Sequence, residues 1–300
     1  MYILSIERYL KKIIQICFMT LESLINPLKA EKNPQNLFLV GLIYSSFAIL
    51  FTLLIFEHEK SIALVFFTVL AATPLMYNSL KVEERKDIKF DEEYKLLKEH
   101  GKAISFFIFL FLGILFSFTL WYVFLPPAIT QELFFSQQQA INNINKLVTS
   151  SFASTDVFFV VFLNNLRVLF FCLLFSFFYG AGAIFILTWN ASVIATAMGN
   201  FFRNNLAKLV EVSGSATIGS YFHIGALSLS RYIFHAIPEI LAYFMGGLAG
   251  GIISVAVIRY DFRTKKFQDI VFDSSSLIIL AIGFLLIAAF IEVYITPLLF

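Results

Sequence analysis

The chain has 300 residues, of which 59% are hydrophobic and only 14% are charged, and its formal net charge is +2. A soluble domain has about 25% charged residues, so this composition excludes a soluble globular protein and favours one whose surface lies mostly in lipid. The small net charge and the lack of a basic, aromatic-rich stripe argue against a nucleic-acid partner. The two cysteines lie inside apolar helical patterns and predict neither a disulfide framework nor a metal or redox site.

Residues 1–35 carry apolar side chains at helical spacing with lysines and glutamates between them. This pattern predicts an amphipathic helix in the membrane interface or, alternatively, a helix packed on a partner protein. Charged residues interrupt its apolar run, so it is not typical of a signal peptide. Residues 36–80 contain the apolar stretches Leu37–Phe56 and Ser61–Leu80 around a short polar turn, and they predict a transmembrane hairpin.

The most strongly charged stretch of the chain is residues 81–102, in which the two signs are balanced. Charge runs of this kind usually face water, so we interpret the stretch as a solvated cytoplasmic helix or helical hairpin rather than a carboxylate active site. It would link the hairpin to the main membrane body, which we assign to residues 103–300.

The main body alternates long apolar stretches with polar ones. Its predicted spans are Ala103–Leu125, two within Val157–Gly199, Ile237–Ile258 and Leu277–Pro297. Residues 126–156 form a polar outer loop with an amphipathic helix around Leu133–Leu147, a candidate surface for protein partners. Tyr221–Ala236 is too short for a span and predicts an interfacial or re-entrant helix.

Lysine and arginine are concentrated in the segments that lie on the same side as the N-terminus. By the positive-inside rule, the N-terminus is then cytoplasmic and the C-terminus outside. The predicted fold class is an all-α, polytopic transmembrane bundle of about seven spans with one interfacial or re-entrant helix. Such a chain is a multi-pass protein of the cell membrane, with lipid as its first partner.

Glycines mark two places where helices are expected to approach closely. One is the turn between the fourth and fifth spans and the other is the sixth span, and the residues are Gly180, Gly182, Gly246, Gly247, Gly250 and Gly251. In the sixth span they form two overlapping small-xxx-small pairs. A phosphate-binding loop is not indicated, because no strand precedes these glycines and no Gly-Lys-Ser/Thr follows them.

Polar and ionisable side chains occur inside the predicted spans, at similar depth toward the outer leaflet. They are Asn164, Asn165, Arg167, Asn190, His235, Glu239 and Glu292. A central arginine costs roughly 2.5–3.5 kcal/mol in hydrocarbon unless protein groups meet it. We therefore expect a buried cluster in which Arg167 pairs with Glu239 or Glu292 and the other side chains complete the hydrogen bonds. Such a cluster either fixes the helix bundle or forms a site or pathway, and the sequence leaves both readings open.

An intramembrane enzyme is the weaker interpretation. A metalloprotease needs at least three metal ligands, whereas the spans offer one His-x-x-x-Glu, formed by His235 and Glu239. No nucleophile with a histidine partner on another helix can be identified either. We predict no catalytic residue, no metal and no cofactor.

These motifs, in their order along the chain, resemble the stage II sporulation protein M family of integral membrane proteins. The resemblance is carried by Asn164-Asn165 with Arg167, Gly180 and Gly182, Asn190, His235-x-x-x-Glu239 and Ile291–Pro297. It covers roughly Lys102–Phe300, and the N-terminal region is similar to the longer archaeal-type members. Alanine stands where the family has glycine after Asn190 and His235. The resemblance implies a membrane scaffold, which in sporulating bacteria holds peptidoglycan-degrading partners.

Two functions of different classes are compatible with these observations. The first is a non-enzymatic membrane scaffold or assembly factor that contacts protein partners through the outer loop of residues 126–156. The second is a transporter or lipid-handling permease with a pathway lined by Arg167, Glu239 and Glu292, although no inverted repeat is recognisable. A homo-oligomer is compatible with either function.

Overall fold

A computed structural model describes residues 33–89, 93–149, 154–179, 182–260 and 263–299. The described residues form helices and no strand, which confirms the predicted all-α class. The amphipathic helix predicted for residues 1–35 lies almost entirely outside the described residues.

The helices are long and joined by short connections. We number them α1 (Asn36–Ile55), α2 (Lys60–Lys89), α3 (Glu93–Phe124), α4 (Pro127–Leu133), α5 (Phe135–Thr149), α6 (Ser154–Tyr179), α7 (Ala183–Ser213), α8 (Ile218–Arg259), α9 (Lys265–Phe290) and α10 (Thr296–Leu299). A π-helical turn, Ile291–Ile295, connects α9 to α10. The predicted charged linker contributes the end of α2 and the beginning of α3, and the predicted outer amphipathic helix corresponds to α4 and α5.

Local sequence signals account for several helix ends. Pro127 begins α4 at a position where its missing N–H would have no intrahelical partner. Gly214 ends α7 in the left-handed conformation, at φ 75°, which glycine adopts without strain. The side chains of Thr217 and Thr264 cap α8 and α9 by accepting hydrogen bonds from backbone N–H groups of the first helical turn.

Six of the described helices are long and apolar enough to cross a membrane. They are α1, α6 and α7, together with the apolar parts of α3, of α8 and of the stretch from α9 to α10. In α2, by contrast, only Lys60–Met76 is apolar, which is shorter than the other six. The chain is therefore a polytopic membrane protein, while the seventh pass and the orientation stay predictions.

The segment Tyr221–Ala236, predicted to be a separate interfacial or re-entrant helix, is instead continuous with the sixth span. Together they form α8, which has 42 residues and runs through Pro238. At 1.5 Å per residue its length is about 63 Å, twice a hydrocarbon core of about 30 Å. Packing stabilises the extension, since the buried Ser228 hydroxyl donates a 2.9 Å hydrogen bond to the Met198 carbonyl of α7. Thus α8 is long enough to cross the membrane and to continue beyond it on the side of α4 and α5, which we call the outer side after the predicted orientation.

The central helix of the bundle is α8, which packs against α6, α7 and α9. A second group is formed by α1, which packs on α3 and α2. The two groups are joined by α7, which contacts α3 and α2 on one side and α8 on the other. This arrangement brings α6, α8 and the π turn together, and their polar residues meet there.

Candidate functional site

Close packing of α6 against α8 positions the site. A Cβ atom added at Gly246 would lie 2.3 Å from Leu169 Cδ1, and one added at Gly250 would lie 2.4 Å from the Leu173 carbonyl oxygen. A larger residue at Gly250 would therefore push the two helices apart, whereas at Gly246 the end of the Leu169 side chain could move aside. Because both helices run in the same direction, the close approach continues toward the outer side, where Asn165 faces α8.

The other predicted packing glycines lie in varied surroundings. A Cβ atom at Gly247 would lie 2.8 Å from the Ala183 Cβ atom of α7, and one at Gly182 would lie 2.3 Å from the Phe175 carbonyl oxygen. Gly251 is buried in α8. Gly180 lies outside the described residues.

Two carboxyl groups from different elements meet between α6, α8 and the π turn. The Asn165 amide donates a hydrogen bond to Glu239 Oε1. Glu292, from the π turn, lies within electrostatic range of Glu239. Tyr243, one helical turn further along α8 from Glu239, is buried and interacts with both carboxyl groups. We call Glu239 and Glu292 the carboxyl pair.

The π turn places one member of this pair. A π turn inserts one residue into a helix and so changes the direction of the side chains that follow, and such turns are frequent at functional sites. The Thr296 hydroxyl stabilises this one by donating a 3.1 Å hydrogen bond to the Ile291 carbonyl. The Tyr294 side chain also packs against its neighbours, and its ring centroid lies 5.1 Å from that of Phe290 and 6.3 Å from that of Phe158.

A row of side chains on α8 leads outward from the carboxyl pair. His235 lies one turn from Glu239, and its ring centroid is 6.2 Å from that of Tyr232. Tyr232 interacts with Arg231 and lies within electrostatic range of Glu292. The Nδ1 atom of His235 is buried and has no hydrogen-bond partner among the described residues. The row therefore connects a cation near the outer end of α8 to the carboxyl pair, without a direct salt bridge to either carboxyl in the part of the chain that the structure describes.

Arg167 does not join this cluster. Its side chain is exposed, and the expected ion pair with Glu239 or Glu292 is not formed within the described residues. The reason is helical geometry, because residues two positions apart on an α-helix point about 200° apart. When Asn165 faces α8, Arg167 has to face away from it.

Arg167 belongs instead to an outward-facing stripe of α6. The other members of the stripe are large apolar residues, each more than half exposed, namely Phe159, Leu163, Phe170 and Phe178. We call these five residues the α6 stripe. Arg167 lies near the middle of the apolar span Thr155–Phe178, so its guanidinium is at the depth of the hydrocarbon core.

The two remaining predicted site residues are also outside the cluster. Asn164 is half-buried beside Asn165, and the Asn190 amide donates a 3.1 Å hydrogen bond to the Ile186 carbonyl in its own helix. The sequence interpretation missed Tyr232 and Tyr243. Their spacing from His235 and Glu239, three or four residues apart on one helix face, is the signal that could have identified them.

The chemistry available to this site is proton exchange and hydrogen bonding. Two carboxyl groups near a tyrosine and an imidazole can hold and release protons, or can fasten three elements of the bundle to each other. Within the described residues no three His, Cys, Asp or Glu side chains are grouped closely enough to hold a metal ion.

The family model described as Stage II sporulation protein M matches residues 103–297. The chain belongs to this family. The matched region runs from α3 to α10 and contains the carboxyl pair and the α6 stripe, while α1 and α2 precede it. Neither a search of curated proteins nor a search of solved structures finds a match.

Proposed function

We propose that this family member is a non-enzymatic membrane scaffold or assembly factor that receives a transmembrane helix of a partner protein on the α6 stripe. The observation that carries the proposal is the exposed side chain of Arg167 in the middle of a span. A guanidinium facing lipid at that depth costs roughly 2.5–3.5 kcal/mol even on the mildest insertion scale. A protein group that meets it would remove most of this cost.

Arg167 has no easy route to water. The middle of a span is about 15 Å from either edge of a hydrocarbon core of about 30 Å, and arginine relieves its cost near helix ends, where its head can reach the interface. The neighbours of Arg167 on the stripe are apolar, with Leu163 and Phe170 each within one turn. A partner helix that lies along the stripe would bury these apolar side chains as well as the charge.

The chemistry of the stripe specifies the partner. A carboxylate on a partner span would form a charge-assisted, two-point contact with the guanidinium. A second copy of this chain would not suit the same surface, because a two-fold interface centred on the stripe would bring two Arg167 side chains together. The expected partner is therefore a different membrane protein with Asp or Glu inside a span, and the outer surface of α4 and α5 is a second place where it could dock.

The test is site-specific crosslinking in native membranes. A photo-crosslinking amino acid placed at Leu163 should give a discrete protein adduct, whereas one at Ile279, an exposed position on α9, serves as the matched lipid-facing control. The adduct should disappear with Arg167→Leu, persist with Arg167→Lys, and contain a protein with an acidic residue in a span. The thermal stability of purified Arg167→Leu should equal or exceed that of the wild type, because the side chain contacts no described partner within the chain.

Two outcomes would overturn this proposal. One is an adduct pattern at Leu163 that is the same as at Ile279. The other is an adduct that survives Arg167→Leu, since the guanidinium would then play no part in recognition.

A permease is the second candidate, and the carboxyl pair is the observation that favours it. Ionisable groups inside membrane spans often mark proton pathways, and Glu292 lies in a π turn, where the helix can change register. Proton uptake into liposomes that contain only this protein, lost on Glu292→Gln, is the result that would put the permease first.

A further inference from the structure

A cavity of about 520 Å³ lies between α5, the outer end of α7 and α8. This volume is within the usual range of small-ligand sites, about 300–1,000 Å³. Tyr232 contributes to its wall, so the cavity lies above the row of side chains that leads to the carboxyl pair. We call it the outer cavity.

The outer cavity lies at the level of lipid headgroups. Trp121 and Tyr122 are at the end of the apolar part of α3, where aromatic residues mark the membrane–water interface. The Tyr122 hydroxyl donates a 2.5 Å hydrogen bond to Asn200 Oδ1, and Asn200 lines the cavity. Both α7 and α8 continue outward from this level.

The lining is cationic and rich in carboxamides. Lys208 and Arg231 supply positive charge, and Asn200, Asn204 and Asn205 are among five Asn and Gln residues in the wall. Among the described residues that line the cavity there is no Asp or Glu. Such a wall offers many N–H donors to oxygen atoms that carry negative charge and, through its amide oxygens, acceptors to hydroxyl groups.

Several lining groups are already held in place. Asn200 is fixed between Tyr122 and Gln138, whose side-chain oxygen accepts a hydrogen bond from the Asn200 amide. The Arg231 guanidinium lies over the Phe201 ring, 5.3 Å from the centroid. A ligand would therefore meet fixed donors, which reduces the entropic cost of binding.

The neighbouring Arg203 has a structural role, because it binds backbone carbonyl groups. Its guanidinium donates to the Leu125 and Val123 carbonyls, the latter at 3.2 Å, and so fastens the outer end of α7 to the end of α3. Arg231 makes no such carbonyl contact with the described residues, although its side chain is half-buried beside the cavity. Because guanidinium has five N–H donors, the contact with Tyr232 and stacking on Phe201 still leave most of them available to a ligand.

We propose that the outer cavity binds a phosphate-bearing polyol group. Arg231 and Lys208 would meet the phosphate, and the carboxamides of Asn200, Asn204 and Asn205 would meet its hydroxyl groups. Phe201 and Tyr232 add an apolar surface for the carbon skeleton. The group could belong to a lipid headgroup or to a soluble phosphorylated polyol. The site is on a different surface from the α6 stripe, so the proposal does not rest on the partner-binding function.

The experiment is calorimetric titration of the full chain in a polyoxyethylene detergent, which has neither sugar nor phosphate in its headgroup. The probes are sn-glycerol 3-phosphate, dioctanoyl phosphatidylglycerol and glycerol. We expect saturable binding of at least one phosphorylated probe and none of glycerol. Binding of the lipid alone identifies a headgroup site, and tighter binding of free glycerol 3-phosphate identifies a soluble ligand; both support the proposal.

Variants decide whether the binding occurs in the outer cavity. Arg231→Gln and Asn204→Asp should each weaken it by about tenfold or more, because the first removes a charge-assisted contact and the second places a like charge beside the phosphate. Asn204 is exposed, so Asn204→Asp should fold even if Arg231→Gln does not. Lys265→Gln, which changes an exposed lysine at the start of α9, is the matched control that should bind as the wild type does.

Three results would overturn the proposal. The first is that no phosphorylated probe binds. The second is that glycerol binds as tightly as its phosphate, which would remove the role of the cations. The third is that Asn204→Asp binds the phosphorylated probes with unchanged affinity, which would place them elsewhere on the protein.

Discussion

Two pairs of parallel helices approach each other closely in this protein, α1 with α3 and α6 with α8, and glycine permits both approaches. In the first pair, a Cβ atom added at Gly113 would lie 2.0 Å from the Phe38 carbonyl oxygen, and one at Gly41 would lie 2.3 Å from that of Leu110. In the second pair, Gly250 plays the same part. Close backbone contact therefore serves the packing of the bundle in both places.

The two pairs differ in the polar groups beside the glycines. Between α1 and α3 these are neutral, since Ser46 and Ser117 share a 3.0 Å hydrogen bond and the Trp121 indole N–H donates to Ser46 Oγ at 3.1 Å. Between α6 and α8 the corresponding groups are Glu239 and, from the π turn, Glu292. Neutral hydroxyl groups are sufficient to join membrane helices, and carboxyl groups cost more to bury. Because of this difference, we expect the carboxyl pair to have a role beyond packing.

The largest effect should come from overfilling a glycine contact. Gly113→Ala should lower the free energy of unfolding by about 2–3 kcal/mol, because the new methyl group meets a backbone oxygen that can move only with its helix. Gly283→Ala is the matched control on α9, where a Cβ atom meets no atom of the described residues within 4 Å, and it should be neutral or slightly stabilising. Thermal unfolding in detergent measures both. Equal stability of the two variants would contradict a close backbone contact between α1 and α3 at Gly113.

The next largest effect on stability should distinguish the helix pair α6–α8 from the helix pair α1–α3. Asn165→Leu should cost about 2 kcal/mol, since it leaves the Glu239 carboxyl without its hydrogen-bond donor inside the bundle. Ser46→Ala, the corresponding change between α1 and α3, should cost about 1 kcal/mol. The double change Asn165→Leu with Glu239→Leu should recover part of the loss, because no unsatisfied carboxyl remains at position 239.

Denaturant unfolding of these variants supplies the comparison. The comparison fails if Asn165→Leu and Ser46→Ala lower the free energy of unfolding equally and the double variant is no more stable than Asn165→Leu. The carboxyl pair would then only join helices, as the serines do. The expected role beyond packing would then have no support from stability.

The helices could largely be predicted from the sequence, because the apolar stretches have the length that a bilayer requires. The first span was predicted at Leu37–Phe56 and α1 is Asn36–Ile55. The glycine-rich face of the sixth span was also apparent, because small residues four positions apart share one side of a helix. The extension of α8 was not apparent. Tyr221–Ala236 is too short to span a membrane by itself, and its contact with Met198 joins residues that are distant in the sequence.

The site can be predicted only in part, because residues at similar depth in a span can face different sides of the helix. Arg167 and Asn165 have similar depth but opposite directions, which the 3.6-residue period would have shown. The π turn left no such signal, because its neighbours are mostly apolar and one inserted residue does not disturb an apolar pattern. Gly41 and Gly113 were missed for another reason, since neither belongs to a repeated motif and their partners lie on another helix.

The smallest effect concerns a glutamate in contact with water. Lys60 Nζ lies 2.5 Å from Glu132 Oε2, joining the start of α2 to α4 on the outer surface. The hydrogen bond and the positive charge of Lys60 lower the pKa of Glu132. A carboxyl whose pKa is lower in the folded chain stabilises the fold above its unfolded pKa, and this contribution is lost as the pH falls through the folded value. Exposed pairs contribute little, so the effect should be close to the resolution of a thermal scan.

The measurement compares Glu132→Gln with the wild type at neutral pH and well below the ordinary glutamate pKa of about 4.3, because the pKa of Glu132 in the folded chain is lower. Any loss of thermal stability in Glu132→Gln should be present at neutral pH and absent in acid. Glu57→Gln changes an exposed glutamate of the neighbouring turn and should leave the thermal stability unchanged. A loss that persists in acid would mean that Glu132 acts through packing rather than charge. Glu132 thus pairs with a lysine and is in contact with water. Glu239, in contrast, lies between membrane helices, where its neighbours are a neutral amide and a second carboxyl. The same residue type would then fasten a loop in one place and form the carboxyl pair between membrane helices in the other.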